Sequence, residues 1–228
     1  MPKNACPTKK IFSANIYNAN IKKMRSERQI PIWISYLCGL FLSCQQPYIE
    51  SPHIFPEKIL QEGDLAFRKG DGLTSRIILS IDKNSNYSHI GIVVKHNEKW
   101  KVIHAVPGEP DFEGDRDRIK MDDLQTYFST NRALSGAIMR TENGSITKDV
   151  VHKAFDLYQR NILFDHNYNL EDSTKMYCTE FIHHIFKNSG LDLTEDRRSI
   201  INSFGSNTIY ILPSDILKNS ELKLIYNF

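Results

Sequence analysis

The chain has 228 residues, 40% of them hydrophobic, 25% charged and 11% aromatic, which is enough apolar material for one globular domain with a substantial core. Its formal charge of +2 comes without any long Lys/Arg block. The electrostatic footprint of a nucleic-acid binder is therefore missing, and no nucleic-acid partner is expected.

In chain order, residues 24–44 stand out first. Arg25 and Arg28 precede an apolar run, residues 30–43, of signal-peptide length and too short to span a membrane comfortably. The run ends in Leu42-Ser43-Cys44, which resembles a bacterial lipoprotein signal with Cys44 as the lipidated, mature N-terminus. Residues 1–44 are thus expected to be a signal-like segment, with Met24 a plausible true start. A secretory or membrane-anchoring segment without lipidation is the alternative. With lipidation, the partner is a membrane and the location is the bacterial cell envelope, on its periplasmic or extracellular face.

Residues 45–60, with Pro47, Pro52 and Pro56, read as a tether, and the domain is expected over 61–228. Residues 62–68 read as a turn into a short strand, and residues 73–81 as a helix after the Gly70-Asp71-Gly72 turn. Residues 88–95 and 100–106 form a hairpin by loop length. An acidic loop, 109–118, leads to a short helix expected over 121–128 and a strand over 134–140. Residues 147–158 place Val150, Val151, Ala154, Phe155 and Tyr158 on one helical face. Residues 161–176 read as a polar, aromatic loop, and residues 178–189 as an amphipathic helix stopped by Gly190. Residues 209–212 and 222–226 read as edge strands around a helical turn at Pro213-Ser214-Asp215.

Chemistry concentrates at two places. Beyond Cys44 the chain holds one cysteine, Cys178, so the domain has no disulfide framework, and a single cysteine with histidines elsewhere is a nucleophile candidate. Cys178 sits where the helix begins, near unpaired N–H groups and the positive end of the dipole, which predicts a depressed thiol pKa. By itself such a cysteine is as readily a buried structural residue. His89, entering the strand Ile90-Gly91-Ile92-Val93-Val94, changes the balance, because an imidazole in reach can take the thiol proton and later return it. His104, on the neighbouring strand, could accept from His89 and fix its tautomer. Tyr87 and Tyr177 are candidate hydrogen-bond donors to an oxyanion, with the Cys178 backbone N–H, although both read equally as buried aromatics. Glu180 lies on a different helical face from Cys178 and reads as holding a neighbouring loop. No CxxC pair or HExxH spacing is present, so neither a metal site nor a cofactor is expected.

Together these pieces resemble the circularly permuted papain-like hydrolases of the NlpC superfamily, in the YiiX/YaeF-like branch, with lecithin retinol acyltransferase as a more distant relative. The matching segments are Gly63-Asp64, Tyr87-Ser88-His89-Ile90-Gly91-Ile92-Val93, the strand with His104, Phe164-Asp165, Asn169-Leu170-Glu171-Asp172 and Tyr177-Cys178-Thr179-Glu180-Phe181. They span about residues 60–190. The order His, polar residue, Cys separates this branch from papain, where Cys comes first. One departure is His104, which stands where the bacterial branch often has Glu. The resemblance implies an α+β fold with an antiparallel sheet packed against the helix that bears the nucleophile. It also implies cleavage or transfer at an amide or ester through a thioester. The expectation is an envelope amidase or peptidase acting on an acylated or peptidic substrate, with Cys178 as nucleophile, His89 as base then acid and His104 as orienter. A thiol acyltransferase or lipid esterase of the same fold is the alternative, and a non-catalytic binding module is a third.

Overall fold

The computed structural model describes residues 55–203 and 206–228. Cys44, the apolar run before it and residues 45–54 of the expected tether lie outside the described residues. Among the described residues, eight of ten strands form one sheet in the order β10-β5-β1-β2-β3-β4-β6-β7. These are β1 (Leu65–Lys69), β2 (His89–His96), β3 (Lys99–Val106), β4 (Arg118–Asp123), β5 (Ser135–Thr141), β6 (Leu163–Phe164), β7 (Lys175–Met176) and β10 (Leu222–Asn227). All neighbours are antiparallel except β6 and β7. With helices α1 (Leu73–Ile81), α2 (Leu124–Tyr127), α3 (Thr147–Gln159), α4 (Cys178–Lys187) and α5 (Pro213–Leu217), this is the expected α+β architecture, with a largely antiparallel sheet packed against the helix that bears Cys178.

Both faces of the sheet are covered, which is why β2 reads as an unbroken apolar run. Leu65, Phe67, Ile90, Ile92 and Ile103 point to one face and pack against Val150 and Ala154 of α3 and Phe181, Ile182 and Ile185 of α4. Ala66, Val93 and Val102 point to the other and meet Tyr127, Phe128 and Ile138. The β2–β3 hairpin closes through Asn97 and Glu98, both at positive φ (50° and 61°). Such a two-residue turn matches the strand twist.

Four sequence expectations change. Residues 55–60 belong to the domain rather than to a tether, because Phe55 and Leu60 are buried and Phe55 stacks on Phe128 at 4.6 Å. The segment expected as a helix from 121 is strand β4 up to Asp123, and only then α2. Its buried face carries Lys120 and Asp122, so no apolar alternation announces it. The loop over 161–176 holds β6 and β7, each two residues long. Finally, the expected strand at 209–212 ends earlier, at Tyr210: it is β9 (Ser206–Tyr210), paired with β8 (Ser199–Ser203) in a separate two-stranded sheet. Among the described residues no helix is long and apolar enough to cross a membrane.

Candidate active site

Register assembles the site. Arg68 of β1 pairs with His89 of β2, and on β3 and β4 His104 pairs with Lys120 and Val102 with Asp122. With side chains alternating along each strand, Arg68, His89, His104, Lys120 and Asp122 all stand on the face covered by Tyr127. His89 and His104 are not directly opposite. A Cβ built on Gly91 would lie 3.0 Å from His104 Cβ, so the glycine stands across from His104 and the two imidazoles meet diagonally. His89 Nε2 is 2.9 Å from His104 Nδ1, and His104 Nε2 is 3.2 Å from Asp122 Oδ2. Tyr127 holds both rings in place: its hydroxyl donates to the Ala66 carbonyl at 2.8 Å, and its ring lies 4.9 Å from that of His104 and 5.9 Å from that of His89.

Cys178 opens α4, where the backbone N–H groups of Ile90, Thr179 and Cys178 itself favour the thiolate. Packing of α4 against β2 brings the nucleophile to the strand that starts at His89. Cys178, His89 and Arg68 all line one cavity of about 690 Å3. That is ample for a small ligand. Its wall includes Ile77, Ile78 and Ile81 of α1, a helix without a fully buried residue, and Val106, Phe164 and Leu212.

The electrostatics reverse one expectation. Burial pushes the Cys178 thiol up to about 11, against the pull of the three N–H groups and the Arg68 charge. The side chain keeps partial access to the cavity. Burial likewise holds His89 well below its usual value, reinforced by Arg68 and His104. His104 is also lowered by burial, with its Asp122 hydrogen bond opposing. The resting pair is therefore a neutral thiol and a neutral imidazole. Asp122 is the reverse case: burial raises it, but the His104 hydrogen bond and the charges of Lys120 and Arg132 hold it well below the usual carboxylate range.

The other expected residues separate. Tyr177 stays with the site, lining the same cavity, but its side chain is otherwise buried and its phenol oxygen accepts from the Ile211 N–H at 2.9 Å. Tyr87 packs on Phe67 at 5.7 Å and is not among the residues lining the cavity. Glu180 caps its own helix, accepting from the Tyr177 N–H at 3.3 Å. Sequence reasoning missed Arg68, Glu109, Asp122, Tyr127, Arg132 and Tyr168. Arg132 bridges Glu109 Oε2 (2.9 Å) and Asp122 Oδ2 (2.7 Å), and Arg68 pairs with Glu109. Tyr168 lines the cavity from a left-handed backbone, φ 53°, held by Asp165, whose carboxylate accepts from the N–H groups of Asn167 and Asn169 at 2.9 and 2.5 Å. A bulky residue at positive φ is a conformation usually found where function requires it. The one signal available in sequence was the Phe164-Asp165 segment, which marks the turn but not the tyrosine it presents.

Ligand atoms of His104, Glu109 and Asp122 lie within 4.8 Å of one another, the one such cluster among the described residues. The space between the two carboxylates is already filled by the Arg132 guanidinium, with Lys120 3.2 Å from Asp122 Oδ1. A divalent ion would have to displace that cation.

A cysteine on a helix start and a buried histidine pair on an antiparallel sheet, in the chain order His then Cys, define a papain-like cysteine hydrolase with permuted elements. Residues 59–226 match the family described as permuted papain-like amidase enzymes, YaeF/YiiX, C92 family, and the chain belongs to that family. Among solved structures it resembles that of metalloprotein yiiX from Escherichia coli O157:H7, with a TM-score of 0.60 at 16% identity, covering 74% of this chain and 97% of the other. At that identity the likeness shows the fold. No curated protein matches.

Proposed function

We propose that this cysteine hydrolase cleaves an amide with an apolar acyl part through a thioester on Cys178, working in the bacterial envelope from an N-terminal lipid anchor at Cys44. The observation that carries the reading is the shared cavity, lined both by Cys178 and His89 and by the apolar side chains of Ile77, Ile78, Ile81 and Phe164. The envelope location is supported by the signal-like sequence ending at Cys44. The relative from Escherichia coli is named a metalloprotein. The corresponding chemistry does not fit here, because Arg132 sits between the carboxylates of Glu109 and Asp122, and no step is routed through a metal.

His89 Nε2 is engaged with His104, which leaves Nδ1 to take the Cys178 proton. Because thiol and imidazole are both neutral at rest, proton transfer accompanies attack of the sulfur on the carbonyl carbon. The N–H of Cys178, unpaired at the start of α4, is available to the developing oxyanion. Collapse breaks the C–N bond, and His89 returns the proton to the leaving amine. Water then attacks the thioester, giving its proton to His89. The carboxylic acid leaves, and the same proton restores the thiol.

The test is mass spectrometry of the protein after exposure to octanoyl and acetyl p-nitroanilides. An octanoyl adduct on Cys178, absent in Cys178→Ala and outweighing the acetyl adduct, is expected. Equal reaction of both acyl groups overturns the apolar specificity, and release of nitroaniline by Cys178→Ala at the wild-type rate overturns the thioester.

A further inference from the structure

His104 is completely buried, so each of its ring nitrogens is obliged to find a partner, and each has one: His89 on the Nδ1 side and Asp122 on the Nε2 side. The two partners differ in kind. An ionised carboxylate can only accept a hydrogen bond, whereas a neutral imidazole has one donor and one acceptor. Asp122 Oδ2 also takes a hydrogen bond from Arg132 at 2.7 Å, and Lys120 lies 3.2 Å from Oδ1, so two cations keep this carboxylate ionised.

From that fixed end the hydrogens along the chain have one solution. His104 must carry its hydrogen on Nε2 to serve Asp122. Its Nδ1 is then bare and can only accept, so His89 must carry its hydrogen on Nε2. The Nδ1 of His89 is left bare. That is the one neutral form of the ring able to take a proton from Cys178, since Nε2 is committed elsewhere.

We propose that Asp122 is a positioning residue which, acting through His104, fixes the tautomers of both histidines and so holds His89 in its basic form. Arg132 and Lys120 serve it by keeping the carboxylate charged. The proposal rests on the hydrolase reading for the identity of the proton donor, but the tautomers exist whether or not a substrate is known. In the opposite arrangement, with the hydrogen on Nδ1 of His104, His89 would accept at Nε2 and carry its hydrogen on Nδ1, leaving no bare nitrogen to act as a base. This is the penalty that makes the position of one carboxylate, two hydrogen bonds from the base, decisive.

The experiment is two-bond 15N–1H correlation on protein labelled at histidine nitrogen, with His89→Ala and His104→Ala used to assign the two rings. In the wild type both rings are expected as the Nε2–H form. Asp122→Asn removes the charge and, in either amide orientation, turns an NH2 toward a cation or toward His104. A second tautomer should then appear in both rings. With p-nitrophenyl octanoate as substrate, kcat should fall about 10- to 100-fold while KM stays within about twofold, less than the roughly 10^2 to 10^4 a general base supplies. A merely structural role for Asp122 would leave the tautomers unchanged. The proposal is overturned if wild-type His89 carries its hydrogen on Nδ1, or if folded Asp122→Asn keeps both tautomers and its kcat. If Asp122→Asn does not fold, the wild-type spectrum decides. Absence of any turnover by a wild type with both rings in the Nε2–H form would count against the hydrolase reading and leave the tautomer assignment standing.

Discussion

Adding one methyl group at Gly91 should disable the site without touching any of its functional groups. The Cβ of Gly91→Ala would fall 2.5 Å from Val102 Cγ1, 3.0 Å from His104 Cβ and 3.0 Å from the Ile103 carbonyl oxygen. Carbon atoms in contact settle at about 3.5–4.0 Å. Val102 can relieve about 1 Å by turning its side chain. His104 Cβ and the Ile103 carbonyl are backbone-fixed, so β2 and β3 must move apart by about 0.5 Å locally. Overpacking of this kind costs about 1–3 kcal/mol. For a domain of this size that lowers Tm by about 2–4 °C per kcal/mol. The same movement stretches the His89 to His104 hydrogen bond from 2.9 Å to the edge of hydrogen-bond range. Misplacement of this order can cost 10- to 100-fold in rate, on the general scale of about 100-fold for 1 Å. The assay is turnover of p-nitrophenyl octanoate well below the variant's own Tm, beside a calorimetric scan. Gly144→Ala, whose added carbon meets nothing within 4 Å, is the control and should match wild type. If Gly91→Ala melts and turns over like the control, the close approach of β2 to the His104 strand is not what positions the base.

Three further outcomes rest on the charges. With the Cys178 thiol at about 11 against an ordinary 9.0, its thiolate fraction at pH 7 is about 100-fold smaller than that of a free cysteine. Iodoacetamide labelling should therefore be slow at pH 7 and still be rising above pH 9, whereas a plateau below pH 8 would restore the thiolate–imidazolium picture. Because burial lowers His89, loss of activity with acid should set in below pH 6.5 and not above it. Glu180 is raised from 4.5 to about 8 by burial, its hydrogen bond from the Tyr177 N–H opposing. The unfolded chain releases that proton near pH 4.5 and the folded chain near 8, so this group costs stability increasingly as pH rises through that window. Glu180→Gln should gain Tm relative to wild type between pH 5 and pH 8. An equal Tm difference at both pH values would show that Glu180 is already ionised in the fold.

What was legible in the sequence is what apolar periodicity and punctuation encode. The helix over 73–81 and the β2–β3 hairpin follow from their patterns, and α4 follows from Phe181, Ile182, Ile185 and Phe186 ahead of Gly190. The histidine pair was legible because hairpin geometry brings neighbouring strands together whatever their exact register. Asp122 was not, because β4 buries Lys120 and Asp122 in place of apolar residues, and a strand whose inner face is charged reads as a polar segment beside an acidic loop. Arg68 and Arg132 were hidden for the same reason. Each is a surface residue by type, and only the fold shows that its partner is Glu109.

The buried charges also explain why the thiol stays neutral despite its position at a helix start. Around the histidines stand three cations, Arg68, Lys120 and Arg132, and three anions, Glu109, Asp111 and Asp122, joined by ion pairs from Arg68 to Glu109, Arg132 to Glu109 and Asp122, and Lys120 to Asp111 and Asp122. Arg118, paired with Asp111 and Asp115, extends the network, and the cage is balanced at four against four. A balanced cage limits the net field at the sulfur: Arg68 adds its charge to the pull of the three N–H groups, and desolvation outweighs them together. Were the cage short of one anion, the surplus cation beside Cys178 would favour the thiolate and disfavour the protonated imidazole at the same time. The pairing of Glu109 with both arginines thus sets the site for neutral proton transfer to a base whose free nitrogen is already defined, without requiring a standing ion pair between sulfur and imidazole.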